Sequence, residues 1–390
     1  MKRVKIILCP FDTVVFRESR PFEIGGYARS LEGPLPSTFS GVIRSLLREE
    51  FRNRKDLYED ENKLKWKVRG PFLSLIKECE VNVKINEFYS LPNDVFREKN
   101  GELVVPKPSE PYSYQIGKLK LMSPPRLKDG EILERPKENL MNRRALVAYL
   151  EGRSLMKDWI KDSNELSRRV ERPGVTLDES KVVRFGMFYR VEALEALWKF
   201  KGKEMIRSGY VGTILGDEDA VSKLEISIRK KIARCGGESR PSSIMMMPEE
   251  EDEEWEKAKR RIANRISSSR RFKVYLATPT IFGNNNVSKW IPEWLDTQTL
   301  EGSFLGKGPK VRLVGVSMGK CLAVSGWDYA RGCVKPMYFG VPAGSVFYFK
   351  FEENVGAEEI YENVIKRLEN ENMSDIMSLL GFGTAFVGVW

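Results

Sequence analysis

Between Arg17 and Arg44 the chain carries residue types suited to holding a phosphodiester. Phe11–Ser30 is a loop-rich stretch holding Arg17, Arg20, Gly25, Gly26 and Arg29. It runs into Gly33-Pro34-Leu35-Pro36-Ser37-Thr38-Phe39-Ser40-Gly41, where the prolines hold the chain extended and Ser37 or Thr38 suits an N-cap. From Phe39 the apolar Val42, Ile43, Leu46 and Leu47 follow helical spacing on to about Arg54. The first turn of such a helix offers free N–H groups, which favour phosphate. Arg44 sits roughly one and a half turns further on, at the limit of reach. An ordinary loop and an ordinary cap account for the same residues, since the spacing matches no P-loop or dinucleotide fingerprint.

Three further stretches have related chemistry. Arg234-Cys235-Gly236-Gly237-Glu238-Ser239-Arg240-Pro241 brackets paired glycines with arginines, which lets backbone approach a phosphate closely; a plain turn reads equally well. The terminal Gly381-Phe382-Gly383-Thr384-Ala385-Phe386-Val387-Gly388 contains G-x-G, but its third glycine is five residues on, so a dinucleotide reading is poor. Trp327, in Ser325-Gly326-Trp327-Asp328, follows a glycine turn and could stack a base, although a tryptophan there is more often a buried anchor. The 8 Trp, 13 Tyr and 20 Phe offer stacking platforms, and cores use the same residues.

Several chemistries are excluded outright. The chain has no histidine, which removes Ser–His–Asp and Cys–His systems, His-ligated zinc and a histidine base for RNA cleavage. Cys9, Cys79, Cys235, Cys321 and Cys333 form no CxxC pair and read as small hydrophobes rather than a disulfide or zinc framework. No metal or cofactor is expected. The balance of 65 Lys+Arg against 55 Asp+Glu gives +10 and permits an acidic partner, although Lys/Glu-rich surfaces carry such a charge without one. No apolar run approaches a membrane span and the N-terminus is not a signal peptide, so a soluble, cytoplasmic protein is expected.

The elements that must position these residues mix strands and helices in an α+β order. Lys2–Cys9 reads as a strand closed by Pro10, and short apolar runs over 64–92 read as further strands. Residues 100–137 are proline- and glycine-rich and read as irregular, an insertion. Asn142–Leu150 and Ser154–Asp158 look helical, Val170–Ser180 turn-rich, and Phe185–Trp198 a strand. The acids of Glu249–Glu254 suit a solvated loop or helix N-terminus, and Lys257–Lys273 behind them an amphipathic surface helix. Strands follow at Lys273–Thr278, at Val311–Val316 paired with Cys321–Ser325, and at Ser345–Phe351; Ala357–Glu371 is a helix. No internal repeat is visible. The length predicts two domains, placed at 1–175 and 176–390.

The ordered set of motifs resembles one family. Phe16-Arg17-Glu18-Ser19-Arg20-Pro21-Phe22 and Pro34–Gly41 resemble the opening of the third Cmr subunit, a repeat-associated mysterious protein (RAMP) of the type III-B CRISPR effector complex. Gly174–Asp178, Phe185–Tyr189, Cys235–Arg240, Tyr275–Pro279, Ser325–Asp328, Val341–Val346 and the terminal glycine loop follow in the same order. The resemblance implies two ferredoxin-like, RNA-recognition-motif-like (RAMP) domains with antiparallel sheets, glycine-rich loops and charged insertions. It implies a non-catalytic scaffold that holds the 5′ repeat-derived tag of CRISPR RNA. It also implies docking of the large polymerase/cyclase-like Cmr subunit onto the adjacent backbone RAMP subunit, in antiviral defence.

Carried over residue by residue, the RNA contacts fall at Arg17, Arg20, Gly25, Gly26, Ser37, Thr38 and Arg44, then at Gly236, Gly237 and Arg240, and at Gly381, Gly383 and Gly388. Residues 50–70 and 240–272 look longer and more charged than the family core needs. Two other readings stay open: a RAMP endoribonuclease that processes CRISPR transcripts with Tyr or Lys as base, and an interaction subunit whose basic surface meets acidic protein and no RNA.

Overall fold

The structure, a computed structural model, describes residues 2–19, 26–79, 82–108, 122–123, 133–229, 232–250, 252–284, 287–328 and 332–390. Arg20 and Gly25 lie outside the described residues, as does most of 100–137. The chain forms two compact units that interleave along the sequence. Unit 1 is Met1–Glu87, Ser163–Glu249 and Ala323–Tyr338; unit 2 is Phe88–Asp162, Glu250–Leu322 and Phe339–Trp390. The expected boundary after residue 175 is corrected: it falls inside the strand Ser167–Leu177, whose hydrogen bonds to Val183–Ala196 bind the two sides of that cut together.

Unit 1 is built from β1 (Lys2–Pro10), α1 (Pro36–Glu50), β2 (Trp66–Glu78), β3 (Val83–Ser90), β4 (Ser167–Leu177), β5 (Val183–Ala196), β6 (Trp198–Lys201), β7 (Glu204–Gly216), α2 (Glu218–Ile228), β8 (Ile232–Cys235) and β9 (Arg240–Pro248). Its sheet runs β2-β7-β1-β9, every pair antiparallel, with α1 leading into β2 and α2 lying between β7 and β9 in the chain. That is the β-α-β-β-α-β order of a ferredoxin-like fold. β1 is apolar on both faces, so it can occupy the centre: Ile6 and Leu8 on one side, Ile7 and Cys9 on the other, are all fully buried. α1 buries Phe39, Val42, Ile43, Leu46 and Leu47, the spacing of one helical face. A Cβ at Gly212, opposite Ile6, would come within 2.7 Å of the Phe39 ring, so the missing side chain lets the helix sit down on the sheet.

α1 starts earlier than its sequence suggests. Leu35 is the N-cap, Pro36 opens the first turn, and no side chain caps the helix, so Ser37 and Thr38 lie within the first turn. The stretch read as turn-rich, Val170–Ser180, is mostly strand, because β4 pairs along its length with β5. Arg240–Pro248, taken for part of an insertion, is a strand of the central sheet next to β1.

Unit 2 contains α3 (Glu253–Ser269), β10 (Arg271–Leu276), β11 (Lys310–Ser317), β12 (Val346–Phe351) and β13 (Ala385–Val389). The sheet order β11-β12-β10-β13 repeats that of unit 1. The helix leading to β13 runs through Ala357–Ile360, a π-helical Tyr361–Lys366 and Arg367–Asn370. Between β10 and β11, where a ferredoxin-like fold places its first helix, only short strands and a 3-10 turn occur among the described residues. Phe272, Phe304, Phe349 and Phe351 fill the core, with Phe272 stacked on Phe349 at 5.3 Å and on Phe351 at 4.8 Å. Asp252 caps α3 by accepting from Trp255 N at 2.9 Å, so the acidic run does serve a helix N-terminus. β11 pairs with Glu301–Ser303 and with β12, not with Leu322–Val324, and Ser154–Asp158 holds only the start of a 3-10 turn at Lys157–Trp159.

Candidate nucleic-acid interface

Three of the stretches singled out in the sequence meet in unit 1 around the backbone of residues 14–31. Phe16 N–H donates to Ser30 Oγ at 3.0 Å and Leu31 N–H to the Phe16 carbonyl at 2.7 Å, so the two sides of the loop close on each other. Arg17 bridges to Ser30, and Arg17 and Arg29 are exposed. The Phe16 ring meets Tyr210 edge-on at 5.2 Å and anchors the loop on β7.

The glycine turn after β8 closes on the same backbone. Gly237 N–H donates to the Val15 carbonyl at 2.8 Å. Gly236 has φ +75°, and a Cβ there would lie 2.7 Å from the same carbonyl oxygen, which explains the need for glycine. Arg240 is held by Glu238 at 2.5 Å across the turn, so part of its guanidinium charge is balanced locally.

The chain returns to this place from far along the sequence. Ser325 N–H donates to Ser19 Oγ at 2.9 Å, and Ser325 Oγ to the Lys335 carbonyl at 2.9 Å. Trp327, which the sequence left between core anchor and stacking platform, is 52% exposed. Lys335, on the same returning segment, shares the Glu61 carboxylate with Arg44. Burial alone would raise the Glu61 carboxyl, but Lys335 and Arg44 hold it below the usual carboxylate range.

The base of the β4–β5 hairpin supplies the fourth wall. Val14 and Leu194 exchange backbone hydrogen bonds at 2.8 Å, and Tyr27–Ala28 lies parallel to Arg190–Val191. Glu192 accepts from Tyr27 Oη at 3.0 Å and from Ser30 N–H at 3.3 Å, and Arg169 pairs with the same carboxylate. Arg17, Gly26, Gly236, Gly237 and Arg240 are therefore gathered around one loop, and Ser37 and Thr38 follow it by a few residues. Arg44 belongs to the same unit but donates to the Tyr58 carbonyl at 2.6 Å, to the Glu59 carbonyl at 3.0 Å and to Glu61 at 2.6 Å.

Gly381, Gly383 and Gly388 lie in unit 2 and are buried. Gly383 has φ +77°, and a Cβ there would sit 2.2 Å from Ser374 N. A Cβ on Gly388, within β13, would press on Leu150 at 2.8 Å. Gly383 and Gly388 answer to close packing of the chain on itself.

Sequence reasoning passed over Glu192, Tyr27 and Arg169, because nothing in their spacing ties them to residues more than a hundred positions away. The cysteine reading agrees with the geometry at two positions: burial pushes the Cys9 thiol up to about 11 and the Cys235 thiol up to about 12. Among the described residues no cluster of three metal-ligating side chains occurs, and no helix is long and apolar enough to cross a membrane.

A family model described as CRISPR-associated protein (Cas_Cmr3) matches residues 6–390. No curated protein matches the sequence. Among solved structures, a chain of the type III-B Cmr-beta complex bound to cognate target RNA and AMPPnP is 17% identical. That match covers 88% of this chain and 86% of that one, with a TM-score of 0.47. A chain of the Csm3-Csm4 subcomplex of the type III-A interference complex is 12% identical, covering 91% and 94%, with a TM-score of 0.40.

Proposed function

The chain belongs to the Cas_Cmr3 family of CRISPR-associated proteins, and from that premise we propose that it is a non-catalytic subunit of a type III-B CRISPR ribonucleoprotein, binding the 5′ repeat-derived tag of the guide RNA. The observation that carries this reading is the closure of the Gly236–Arg240 turn, the Ser325–Asp328 return and the β4–β5 hairpin around the Arg17–Arg29 loop. Exposed arginines on a backbone-braced loop suit phosphates, and exposed Trp327 suits a base splayed out of a single strand. Arg20 and Gly25 belong to the same loop in sequence and to the same proposal.

A second part of the proposal is docking of the large polymerase/cyclase-like subunit and an adjacent backbone RAMP subunit. It rests on the family, with support from Val175, Leu177, Val182 and Phe188, which are exposed apolar side chains at the turn end of the β4–β5 hairpin.

The test is fluorescence anisotropy of tag RNA, and of a scrambled RNA of equal length, with the parent and the R17E/R29E variant. The parent is expected to prefer tag RNA, and the variant to lose roughly tenfold or more in affinity, with a shallower salt dependence. Equal affinity of parent and variant for tag RNA at low salt would overturn the assignment of the loop. Metal-independent cleavage of repeat RNA by the purified chain would overturn the non-catalytic reading.

A further inference from the structure

In unit 2 three arginines close on a single residue. Glu151 follows the helix Arg143–Leu150 and is buried. Arg153 Nε donates to Glu151 Oε2 at 2.8 Å, and Arg153 Nη2 lies 2.6 Å from the same oxygen. Arg261 Nε donates to Glu151 Oε1 at 2.7 Å, and Arg265 Nη1 donates to the Glu151 carbonyl. Arg261 and Arg265 stand one turn apart on α3 and share one face of it. Three guanidinium groups from two segments thus meet around one acid.

The helix end does not need these guanidinium groups. Gly152, at φ +64°, and Arg153 close it through backbone alone. Gly152 N–H donates to the Tyr149 carbonyl at 3.1 Å, and Arg153 N–H to the Ala148 carbonyl at 2.8 Å. One arginine would neutralise Glu151. The other two leave a local excess of two positive charges, and no second acid pairs with any of the three among the described residues.

All three side chains stay open to solvent. Arg153 and Arg261 are each more than half exposed, and Arg265 is exposed. A guanidinium offers five N–H groups in a planar fork, and the contacts to Glu151 use one or two of each. Glu151 therefore fixes the forks in place and leaves most of their donors unspent. Donors arriving from three side chains suit a tetrahedral anion with three free oxygens. A phosphate monoester has three such oxygens and carries about −1.5 to −2 at pH 7, which matches the excess charge. A carboxylate offers two oxygens in one plane and a single charge, and a phosphodiester also carries a single charge.

We propose that Arg153, Arg261 and Arg265, held in position by Glu151, form a site for a terminal phosphate group, separate from the loop proposed for the tag. Inorganic phosphate and the 5′-phosphorylated end of an RNA both present that chemistry, and the test separates them.

The probe is a 3′-fluorescein pentauridylate bearing either a 5′-phosphate or a 5′-hydroxyl, titrated with the full chain by anisotropy. The parent is expected to bind the 5′-phosphorylated form roughly tenfold more tightly, the gain from one charge-assisted hydrogen bond. R153Q/R261Q/R265Q is expected to bind both forms alike. R261Q alone alters an exposed position of α3 and leaves Arg153 on Glu151. It is expected to melt like the parent and to lose roughly threefold of the preference. R17E/R29E keeps the preference, so failure here is distinguishable from failure of the tag assignment. Inorganic phosphate is titrated separately and followed by phosphorus NMR line broadening, expected with the parent and absent with the triple variant. Broadening together with displacement of the RNA assigns the site to the phosphate group alone; a 5′-phosphate preference without broadening assigns it to an RNA end. No preference and no broadening with the parent would overturn the proposal. So would a preference that survives the triple variant, or displacement by glutarate as strong as by phosphate, which would assign the arginines to a carboxylate.

Discussion

Arg44 Nη1 donates to Glu61 Oε1 at 2.6 Å, and Lys335 shares that carboxylate from a segment 274 residues further along the chain. One acid therefore ties α1 to the returning strand pair that carries Trp327. The pairing also spends donors of Arg44 inside the protein, since its other nitrogens donate to the Tyr58 and Glu59 carbonyls.

Replacing that acid should loosen the return. E61Q is expected to cost about 1–3 kcal/mol in urea unfolding, because it leaves two half-buried cations short of a charged acceptor. The sign of the pH effect follows from the direction of the shift. A carboxyl held below its ordinary value stabilises the fold above its unfolded pKa of about 4.3, and that stabilisation is lost as pH falls through the lower folded value. The parent should therefore lose stability more steeply than E61Q on acidification below about pH 4.3, as read by melting temperature.

Trp327 is exposed, so its removal should separate folding from binding. W327A is expected to change unfolding free energy by less than about 0.5 kcal/mol. It should weaken tag-RNA binding by about 1–3 kcal/mol in anisotropy titrations.

Gly383 should behave in the opposite way. G383A forces a Cβ into left-handed backbone, against Ser374 N at 2.2 Å. The expected cost is about 3 kcal/mol in chemical denaturation, with RNA affinity per folded molecule unchanged.

Lys273 is buried in unit 2, its ammonium 3.3 Å above the Tyr149 ring. Tyr149 donates to Asp94 at 2.7 Å, and Tyr348 donates to the same carboxylate. Burial pushes Lys273 down to about 8. A lysine that binds fewer protons folded than unfolded makes stability rise with pH between its folded value and roughly 10.4. The difference in melting temperature between the parent and K273M should therefore grow in the parent's favour from about pH 8 to pH 10.

The absence of histidine and of any close cysteine pairing is decided by the sequence, since no folding event supplies a missing side chain. The α1 pattern from Phe39 to Leu47, β1, much of α3 and the helix within Asn142–Leu150 were legible because each is set by patterning within a few residues. The ordered motifs from Phe16 to Gly388 pointed to the family for the same reason: they are local strings. What the sequence could not show is which distant residues share a neighbourhood. The turn-rich look of Arg172-Pro173-Gly174 hid a strand, because only β5 supplies the hydrogen bonds that make it one. Gly381, Gly383 and Gly388 carried RNA contacts only through the resemblance, and the close approach of Gly383 to Ser374 and of Gly388 to Leu150 is visible only in the folded chain. Ser325 meeting Ser19, Gly237 meeting Val15, and Lys77 standing across from Lys84 depend on chain crossings and strand register. Register is fixed by burial of the whole sheet, and a one-residue slip would have sent the side chains of a slipped strand, Lys77 or Lys84 among them, to the other face.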